Sequence, residues 1–281
     1  MELFAKKSLG QHFLNSPSVL REIVETARIQ TGETALEIGP GTGILTRALL
    51  ETGARVIAVE KDQRAFALLM EKFNKEITEQ RLTLVQGDIL QPESFDLKSL
   101  LAGSSASQSS SSPSFALVAN IPYYITGAIL ELFLEHGPRP SRMVLLVQKE
   151  VAERITAKPE GNDFIGKESI LSISVKAFGM PKLVARVPRG AFTPAPTVDS
   201  AILSIEDISD RRFTEKGLAV ERFFAIVKAG FAHKRKILRR NLEAVADKNL
   251  LEKTWLELGL NEKVRAEDVR LESWFELTSD L

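Results

Sequence analysis

Short apolar runs alternate with amphipathic helical patterns over the first half of this chain, and this alternation constrains the fold more than any other feature. The runs that fit buried strands are residues 34–38, 55–59, 82–85, 115–119 and 142–147, and helical patterns at 44–50 and 63–73 lie between the first of them. Strands that alternate with helices form a parallel sheet, because each helix returns the chain to the same end of the sheet. The pattern therefore predicts an α/β domain.

The second half of the chain predicts the end of this sheet and then a change of class. Apolar runs at residues 183–187 and 201–205 predict two more strands, an antiparallel pair that closes a mostly parallel, seven-stranded sheet. Beyond residue 210 the pattern is helical throughout. We expect two domains, 1–210 and an all-helical 211–281. A serine-rich insertion at about 103–114 has too few apolar residues to order itself.

Charge balance and the absence of cysteine exclude several classes of function. Lysine plus arginine and aspartate plus glutamate both total 37, so nucleic-acid binding would have to depend on a local basic cluster. Without cysteine there is no disulfide, thiolate metal site or cysteine nucleophile, and we predict no metal. This also excludes methylation of pyrimidine C5 through a cysteine adduct. No apolar run approaches the ~20 residues of a membrane span and no signal-peptide segment is present, so we expect a soluble, cytoplasmic protein.

A glycine-rich turn after residues 34–38 marks a candidate ligand site. Gly39, Gly41 and Gly43 precede a helical pattern, so the backbone can approach a ligand and the helix offers unpaired amides. A dinucleotide-binding fingerprint would require its third glycine where Ile44 stands. The spacing therefore favours an adenosyl ligand over a nicotinamide dinucleotide.

Acidic residues follow the next two predicted strands. Glu60, with Lys61 beside it, is placed to accept hydrogen bonds from two ribose hydroxyls. Asp88 can accept one from the exocyclic amine of adenine, and Ile89 can cover the ring. Each carboxylate alone is equally well explained as a solvated strand end or a helix cap. Together with the glycine turn they surround one nucleoside, and a cationic sulfonium tolerates acidic neighbours, so we predict S-adenosylmethionine as the cofactor.

The tetrapeptide Asn120-Ile121-Pro122-Tyr123 follows the run at residues 115–119 and is a candidate site for a methyl acceptor. An exocyclic aromatic amine is a poor nucleophile because its lone pair is delocalised into the ring. The side-chain oxygen of Asn120 and a carbonyl at Ile121 or Pro122 can accept its two N–H bonds and hold the nitrogen in line with a methyl group. Tyr123 can stack on the base, which contributes ~1–3 kcal/mol. A strand-to-helix turn with a core tyrosine is the alternative.

Two other segments are candidates for enclosing this site. Phe192, in a proline-flanked loop, is a candidate for the second face of the base, although ordinary packing also explains an aromatic residue there. His12 and Leu14, with Phe13 between them, are candidates for covering the donor pocket.

The densest basic cluster lies in the C-terminal part of the chain. Its members are Lys234, Arg235, Lys236, Arg239 and Arg240. A helix would place the last three of the five on one face, a candidate surface for RNA phosphates. A solvated helix face is the alternative explanation.

In their order and spacing these motifs resemble the small-subunit ribosomal RNA adenine dimethyltransferase family, which makes N6,N6-dimethyladenosine in 16S rRNA. The resemblance runs through Lys7 to Leu14, Glu37 to Gly43, Val59-Glu60, Gly87-Asp88, Asn120 to Tyr123, Gln148 to Ala152, Phe192 to Ala201 and Lys234 to Leu242. It implies a Rossmann-like methyltransferase fold and donor binding at His12, Leu14, Gly39, Glu60, Asp88 and Asn120. His12 stands where some relatives carry asparagine.

The resemblance implies a substrate as well. This is a pair of adjacent adenosines in a hairpin loop near the 3′ end of 16S rRNA, in the small subunit or its precursor, each methylated twice. A related large-subunit enzyme that confers macrolide resistance is the nearest alternative, because it shares both motifs. An assembly factor that checks ribosomal subunits is an alternative from a different class. We expect a monomer.

Overall fold

The computed structural model describes residues 3–6, 9–102, 114–157 and 167–281. Of the serine-rich insertion, residues 103–113 lie outside the described residues, as do Lys7 and Ser8 of the N-terminal motif. The chain divides into two compact units, one of Met1–Ala152 with Lys182–Ile208 and one of Glu153–Pro181 with Ser209–Leu281. No helix among these described residues is long and apolar enough to span a membrane.

A seven-stranded sheet forms the centre of the first unit. The strands of the chain are β1 (Phe13–Leu14), β2 (Thr34–Ile38), β3 (Arg55–Glu60), β4 (Leu82–Gln86), β5 (Phe115–Asn120), β6 (Arg142–Gln148), β7 (Met180–Val187), β8 (Phe192–Thr193) and β9 (Ser200–Glu206). The sheet order is β4-β3-β2-β5-β6-β9-β7. Strands β2 to β6 pair in parallel, and β9 pairs antiparallel with β6. The predicted fold class is therefore confirmed.

Helices connect these strands and form the second unit. They are α1 (Pro17–Ala27), α2 (Ile44–Glu51), α3 (Gln63–Lys72), α4 (Asn74–Thr78), α5 (Leu97–Ala102), α6 (Thr126–Glu131), α7 (Lys149–Thr156), α8 (Ile170–Phe178), α9 (Arg211–Lys216), α10 (Val220–Gly230), α11 (Leu238–Leu242), α12 (Lys248–Glu257) and α13 (Leu271–Asp280).

Helix α1 illustrates how local sequence sets these elements. The Ser16 side chain accepts a hydrogen bond from the Val19 amide, and Pro17 occupies the first turn, where its missing N–H costs nothing. Val19, Ile23 and Ala27 recur at helical spacing and are buried in the core. The helix ends at Arg28, whose φ of 46° is left-handed.

The register of the parallel strands brings their carboxyl ends to one edge of the sheet. Ile38 pairs with Val59 on one side and with Ala119 on the other, and Glu60 pairs with Gln86. The residues that follow these strands therefore converge at a single edge, where open α/β sheets bind ligands.

A two-stranded pairing that the sequence pattern did not predict lies apart from the main sheet. In it β1 pairs antiparallel with β8, so that Phe13 is opposite Thr193 and Leu14 is opposite Phe192. The Asn15 side chain extends the pairing by donating to Thr193 Oγ1 at 2.6 Å. This fixes the N-terminal segment, residues 9–14, which we call the strap.

Aromatic side chains make up much of the core of the helical unit. The rings of Phe223 and Phe275 stack at 4.6 Å, and Phe213 meets both rings edge-on at 5.3 and 5.2 Å. Phe178 of α8 packs against Phe213 at 4.9 Å, which explains why residues 153–181 belong to this unit. The division thus differs from the single boundary after residue 210 that the sequence suggested.

Candidate active site

A cavity opens at the carboxyl edge of the sheet in the first unit. Its walls come from the strap and from the ends of four parallel strands. They are formed by Leu9, Gly10, Gln11, His12, Phe13, Ile38, Gly39, Gly41, Val59, Glu60, Lys61, Gly87, Asp88, Ile89 and residues 120–125. The predicted donor and acceptor residues therefore share one cavity, with the exception of Leu14 and Phe192.

The glycine turn forms one wall in a conformation that favours glycine. Gly39, Gly41 and Gly43 have φ values of 67°, 55° and 77°. A Cβ on Gly41 would lie 3.0 Å from the Phe13 ring, and one on Gly43 would lie 2.5 Å from the Phe73 ring. Since neither position leaves room for a side chain, the strap and the core can pack directly on the turn.

Glu60 is held rigidly at the end of β3. Its Oε2 accepts a hydrogen bond from the Gly41 amide at 3.0 Å, and its Oε1 accepts one from the Asp62 amide at 2.7 Å. Burial raises the pKa of this carboxyl, against the effect of the two amides. Each oxygen of an ionised carboxylate has a second lone pair. The side chain can therefore accept one further hydroxyl on each oxygen, as the ribose role requires.

Asp88 and Lys61 form an ion pair at the cavity rim. Lys61 Nζ lies 2.6 Å from Asp88 Oδ2, and the Leu90 amide donates to Asp88 Oδ1 at 3.1 Å. Burial opposes ionisation of Asp88, but the hydrogen bonds from Lys61 and from the Leu90 amide, together with the positive charge of Lys61, outweigh burial and lower the pKa of Asp88. The hydrogen bond between Lys61 and Asp88 raises the pKa of Lys61. Asp88 is therefore an ionised acceptor beside Ile89.

Glu37, the acidic residue that opens the glycine motif, does not line the cavity. It is 1% exposed, and its Oε2 accepts a hydrogen bond from Thr46 Oγ1 at 2.6 Å. Burial raises the pKa of Glu37 to about 8, so its carboxyl is mainly protonated at neutral pH. Glu37 therefore has a structural role: it is buried beneath the glycine turn and accepts the hydrogen bond from Thr46.

The Asn120 amide has a defined orientation at the end of β5. Its Nδ2 donates to the main-chain carbonyl of His12 at 3.1 Å. Because a carbonyl can only accept, the amide nitrogen must face the strap and Oδ1 must point the other way. Within the described part of the chain Oδ1 has no hydrogen-bond partner, so it can accept a substrate N–H.

Tyr123 is held by two neighbours. Its hydroxyl lies 2.6 Å from Ser200 Oγ in β9, and its ring stacks on the His12 ring with centroids 6.1 Å apart. Burial raises the pKa of Tyr123, so the phenol stays protonated. His12 is fixed in turn, because its Nδ1 donates to the Pro194 carbonyl at 2.8 Å. The Tyr123 ring is therefore held in a defined position.

Leu14 and Phe192 lie elsewhere than the sequence suggested. They face each other across the β1–β8 pairing and are 5% and 3% exposed, within the core of the first unit. Their apolar side chains are buried there instead of forming a cavity wall. The loop that follows Phe192 still reaches the site, through the Pro194 carbonyl that holds His12.

Sequence reasoning missed three residues with contacts at this site. Gln11 Nε2 donates a hydrogen bond to Asp62 Oδ2 at 3.1 Å, and Ser200 Oγ forms a hydrogen bond with the Tyr123 hydroxyl. Asp62 could have been found as a helix cap, because it directly precedes the pattern at 63–73 and accepts from the Arg64 amide. Nothing local in the sequence indicates either the Gln11 or the Ser200 contact.

The basic cluster lies in the helical unit, but not on one helical face. Residues 232–237 form turns, and α11 begins only at Leu238. The Asn241 side chain donates to the carbonyls of Gly230 at 2.6 Å and of His233 at 3.3 Å. These bonds satisfy carbonyls at the end of α10 and fix the turn that follows, which interrupts the expected helix.

The members of the cluster consequently differ in environment. Arg239 is 17% exposed and pairs with Glu262 at 3.2 Å and Glu252 at 3.4 Å. Arg235 and Arg240 are exposed. Lys234 and Lys236 are exposed and line a groove together with three other basic side chains, Arg154, Lys167 and His233. Two acidic residues of the groove are paired, Glu168 with Lys176 and Glu267 with Lys167.

Comparison with known proteins assigns the chain to a family. A family model described as ribosomal RNA adenine dimethylase matches residues 3–281. The chain belongs to the ribosomal RNA adenine dimethylase family. A relative from Dehalococcoides mccartyi named Ribosomal RNA small subunit methyltransferase A is 37% identical over 280 residues, which covers 98% of this chain and 88% of the relative.

Two solved structures resemble this dimethylase-family chain at 26% identity. One is a dimethyladenosine transferase from Plasmodium falciparum, with a TM-score of 0.69 over 95% of this chain and 96% of that one. The other is the 23S rRNA methyltransferase ErmE, with a TM-score of 0.68 over 96% and 99%. Since the two scores are nearly equal, similarity of fold alone does not distinguish between these two relatives.

Proposed function

We propose that this chain transfers methyl groups from S-adenosylmethionine to the N6 amines of two adjacent adenosines in the 3′-terminal hairpin loop of 16S rRNA. Each amine is methylated twice. The observation that carries the proposal is the Asn120 amide, which lines the same cavity as Glu60 and Asp88 and whose Oδ1 faces away from the His12 carbonyl. Donor and acceptor groups then meet at neighbouring strand ends.

The donor is held by the glycine turn and the two carboxylates. Glu60 accepts the ribose hydroxyls on the oxygens that Gly41 and Asp62 already orient, and Asp88 accepts the exocyclic amine of the adenine. Ile89 lies beside Asp88 and covers the ring. The protein supplies binding and orientation, and the sulfonium supplies the reactive methyl group.

The acceptor amine is activated by geometry and needs no strong base. Asn120 Oδ1 accepts one N–H of the target adenine. The Pro122 carbonyl already accepts the Ile125 amide at 3.2 Å, which makes the Ile121 carbonyl the better second acceptor. With both N–H bonds held, the nitrogen lone pair points at the methyl carbon.

In each transfer the bond from nitrogen to methyl carbon forms as the bond from sulfur to methyl carbon breaks, which leaves S-adenosylhomocysteine. The resulting cationic nitrogen loses one proton to solvent. After the first transfer one N–H remains, and a single acceptor, Asn120 Oδ1, is enough to orient it. Tyr123 stacks on the base throughout, because Ser200 fixes its ring.

RNA contact beyond the target base comes from the basic groove of the helical unit. Lys234 and Lys236 are exposed and make no ion pair within the described residues, so they can neutralise phosphates. Loop bases of RNA are cheaper to splay out than paired ones, which suits a cavity that takes single bases. The partner is the cytoplasmic small subunit or its precursor, and the chain acts as a monomer.

The small-subunit substrate is favoured by sequence similarity. The relative named for the small subunit is 37% identical, whereas the 23S enzyme of similar fold is 26% identical. An assembly factor without turnover is disfavoured, because such a factor would not require Glu60, Asp88 and Asn120 to share one cavity.

Label mapping tests the proposal directly. The protein is incubated with tritiated S-adenosylmethionine and either immature small subunits or naked large-subunit RNA, and labelled nucleotides are located. We expect dimethyladenosine in the 3′-terminal loop of the small-subunit RNA. Label confined to large-subunit RNA would overturn the proposal, and no label on either substrate would favour the assembly role.

A further inference from the structure

The Asn120 amide is oriented by a residue of the strap and not by its own strand. An amide can turn by 180° about its last bond, and the wrong orientation would point N–H donors at the N–H donors of the substrate. The main-chain carbonyl of His12 selects the productive orientation at 3.1 Å. The geometry of Asn120 therefore depends on where the strap lies.

Gln11 fixes the strap next to that carbonyl. Its Nε2 donates to Asp62 Oδ2 at 3.1 Å, and its Oε1 accepts the Lys6 amide at 2.8 Å. The two contacts require opposite ends of the side-chain amide, so its orientation is fully specified. Gln11 thus ties the strap to the residue that caps α3.

Asp62 is itself a rigid anchor. Arg64 donates to both carboxylate oxygens, at 3.1 Å to Oδ1 and 2.6 Å to Oδ2. The hydrogen bonds from Arg64 lower the pKa of Asp62 to about 2, so Asp62 is ionised and acts only as an acceptor. Its main-chain amide donates to Glu60 Oε1, which places the anchor beside the ribose-binding carboxylate.

We propose that Gln11 is a positioning residue for methyl transfer, which acts through Asp62 to hold the His12 carbonyl against the Asn120 amide. The inference rests on the proposed function in assigning Asn120 to the acceptor amine. Gln11 contacts no reacting atom in this role. It links the donor side of the cavity to the acceptor side.

The Gln11→Glu variant tests this role because it keeps the size of the side chain. One carboxylate oxygen can still accept the Lys6 amide, while the other faces Asp62, so a donor–acceptor contact becomes a repulsion between like charges. Hydrogen bonds to charged groups are strong enough that we expect kcat to fall about tenfold or more at pH 8.5. The Kd for RNA should not change.

The effect of this variant should depend on pH. The charged and titratable residues that contact this pair or line the same cavity are Lys6, His12, Glu60, Lys61, Asp62, Arg64, Asp88, Tyr123 and Tyr124. The ionised Asp62 raises the pKa of the introduced carboxyl, and the protonated form can donate to Asp62 as the amide does. Relative to the wild type at each pH, kcat should recover about tenfold on going from pH 8.5 to pH 6.

A second substitution provides a rescue. The double variant Gln11→Glu with Asp62→Asn places an N–H donor at the former Oδ2 opposite the introduced carboxylate, and asparagine keeps the Oδ1 that caps the helix. The Arg64 hydrogen bond that Oδ2 accepted is lost, but the carboxylate introduced at position 11 can accept it instead. We expect the double variant to regain kcat at pH 8.5. The matched control is Gln80→Glu, an exposed residue before β4 at the opposite edge of the sheet, which should behave as the wild type at every pH.

The amide of Asn120 gives a readout that does not need turnover. Its two side-chain N–H resonances, identified by their loss in Asn120→Ala, should shift in Gln11→Glu at pH 8.5 and return at pH 6 or in the double variant. Unchanged resonances would overturn the positioning role, whatever happens to kcat. If the resonances respond but the wild type methylates no ribosomal RNA, the proposed function fails, and what stands is that Gln11 orients the Asn120 amide.

Discussion

Replacing Glu60 by glutamine would test the donor site at its most constrained residue. The glutamate accepts one main-chain amide on each carboxylate oxygen, Asp62 at 2.7 Å and Gly41 at 3.0 Å. Glutamine has a single side-chain oxygen. Its NH₂ group must therefore face one of these amides, which also donates, and one of the two hydrogen bonds is lost.

The expected loss of donor affinity follows from these contacts. The substituted oxygen can no longer accept a ribose hydroxyl, and hydrogen bonds to a charged group are worth ~1.5–3 kcal/mol. At about 1.4 kcal/mol per tenfold change in Kd, the affinity should fall ~10- to 100-fold. Stability should change less, because burial already raises the pKa of Glu60 and charging it is costly.

Calorimetric titration with S-adenosylhomocysteine measures this affinity without turnover. The matched control is Glu51→Gln, the same change at an exposed position that ends α2. A thermal melt shows whether each variant is folded. If folded Glu60→Gln protein binds within twofold of the wild type, the ribose role assigned to Glu60 is wrong.

Three further predictions test other parts of the molecule. Asn120→Ala should abolish methyl transfer and leave RNA affinity nearly unchanged, and near-normal turnover would refute the role of that amide. Replacing Lys234 and Lys236 by glutamine should weaken RNA binding and flatten its salt dependence. Arg239→Gln should have a smaller effect, because its guanidinium is already ion-paired. If the salt dependence of RNA binding has the same slope in the Lys234 and Lys236 variant as in the wild type, the groove is not part of the interface. Burial raises the pKa of Glu37 to about 8, so stability should fall as pH rises from about 4.5 to 8, where the unfolded chain has lost this proton and the folded chain still holds it. In urea titrations, the free energy of unfolding should fall less between pH 5 and pH 8 in Glu37→Gln than in the wild type, by about a few kcal/mol. An unchanged pH dependence of stability in this variant would contradict the assignment of a raised pKa to Glu37.

The parallel sheet could be predicted because its signals are local. Each buried strand is a short apolar run, and the residue after it necessarily lies at the common carboxyl edge. Glu60, Asp88 and Asn120 could therefore be placed in one cavity from the amino-acid sequence alone. The ligands proposed for these three residues follow from side-chain chemistry and from the family resemblance.

The contacts that complete the site could not be predicted because they are remote in sequence. Phe13 pairs with Thr193, and Gln11 meets Asp62, with no local pattern to indicate either partner. Phe192 was assigned to the cavity because an aromatic residue near prolines fits both a binding wall and a core. The pairing of β1 with β8 decides between them and buries the ring.

The prediction that the basic cluster lies on one helical face was wrong for a different reason. Its spacing fits a helix, and periodicity alone does not show where a helix stops. Here the stop depends on Asn241, a residue beyond the cluster, whose side chain satisfies the carbonyls of Gly230 and His233. The sequence predicted the local charge correctly and the local shape incorrectly.

The hydrogen bond that orients Asn120 comes from the peptide backbone at position 12. Any amino acid there supplies the same carbonyl, so exchanging His12 for asparagine would alter the ring that meets Tyr123 and leave the orienting bond in place. Under the proposed function, a substitution at position 12 would change the stacking beside the target base and leave the orientation of the Asn120 amide unchanged. A mutational scan of side chains would pass over this carbonyl, and an amide-to-ester replacement of the peptide bond after His12, which weakens the carbonyl as an acceptor, would reveal it.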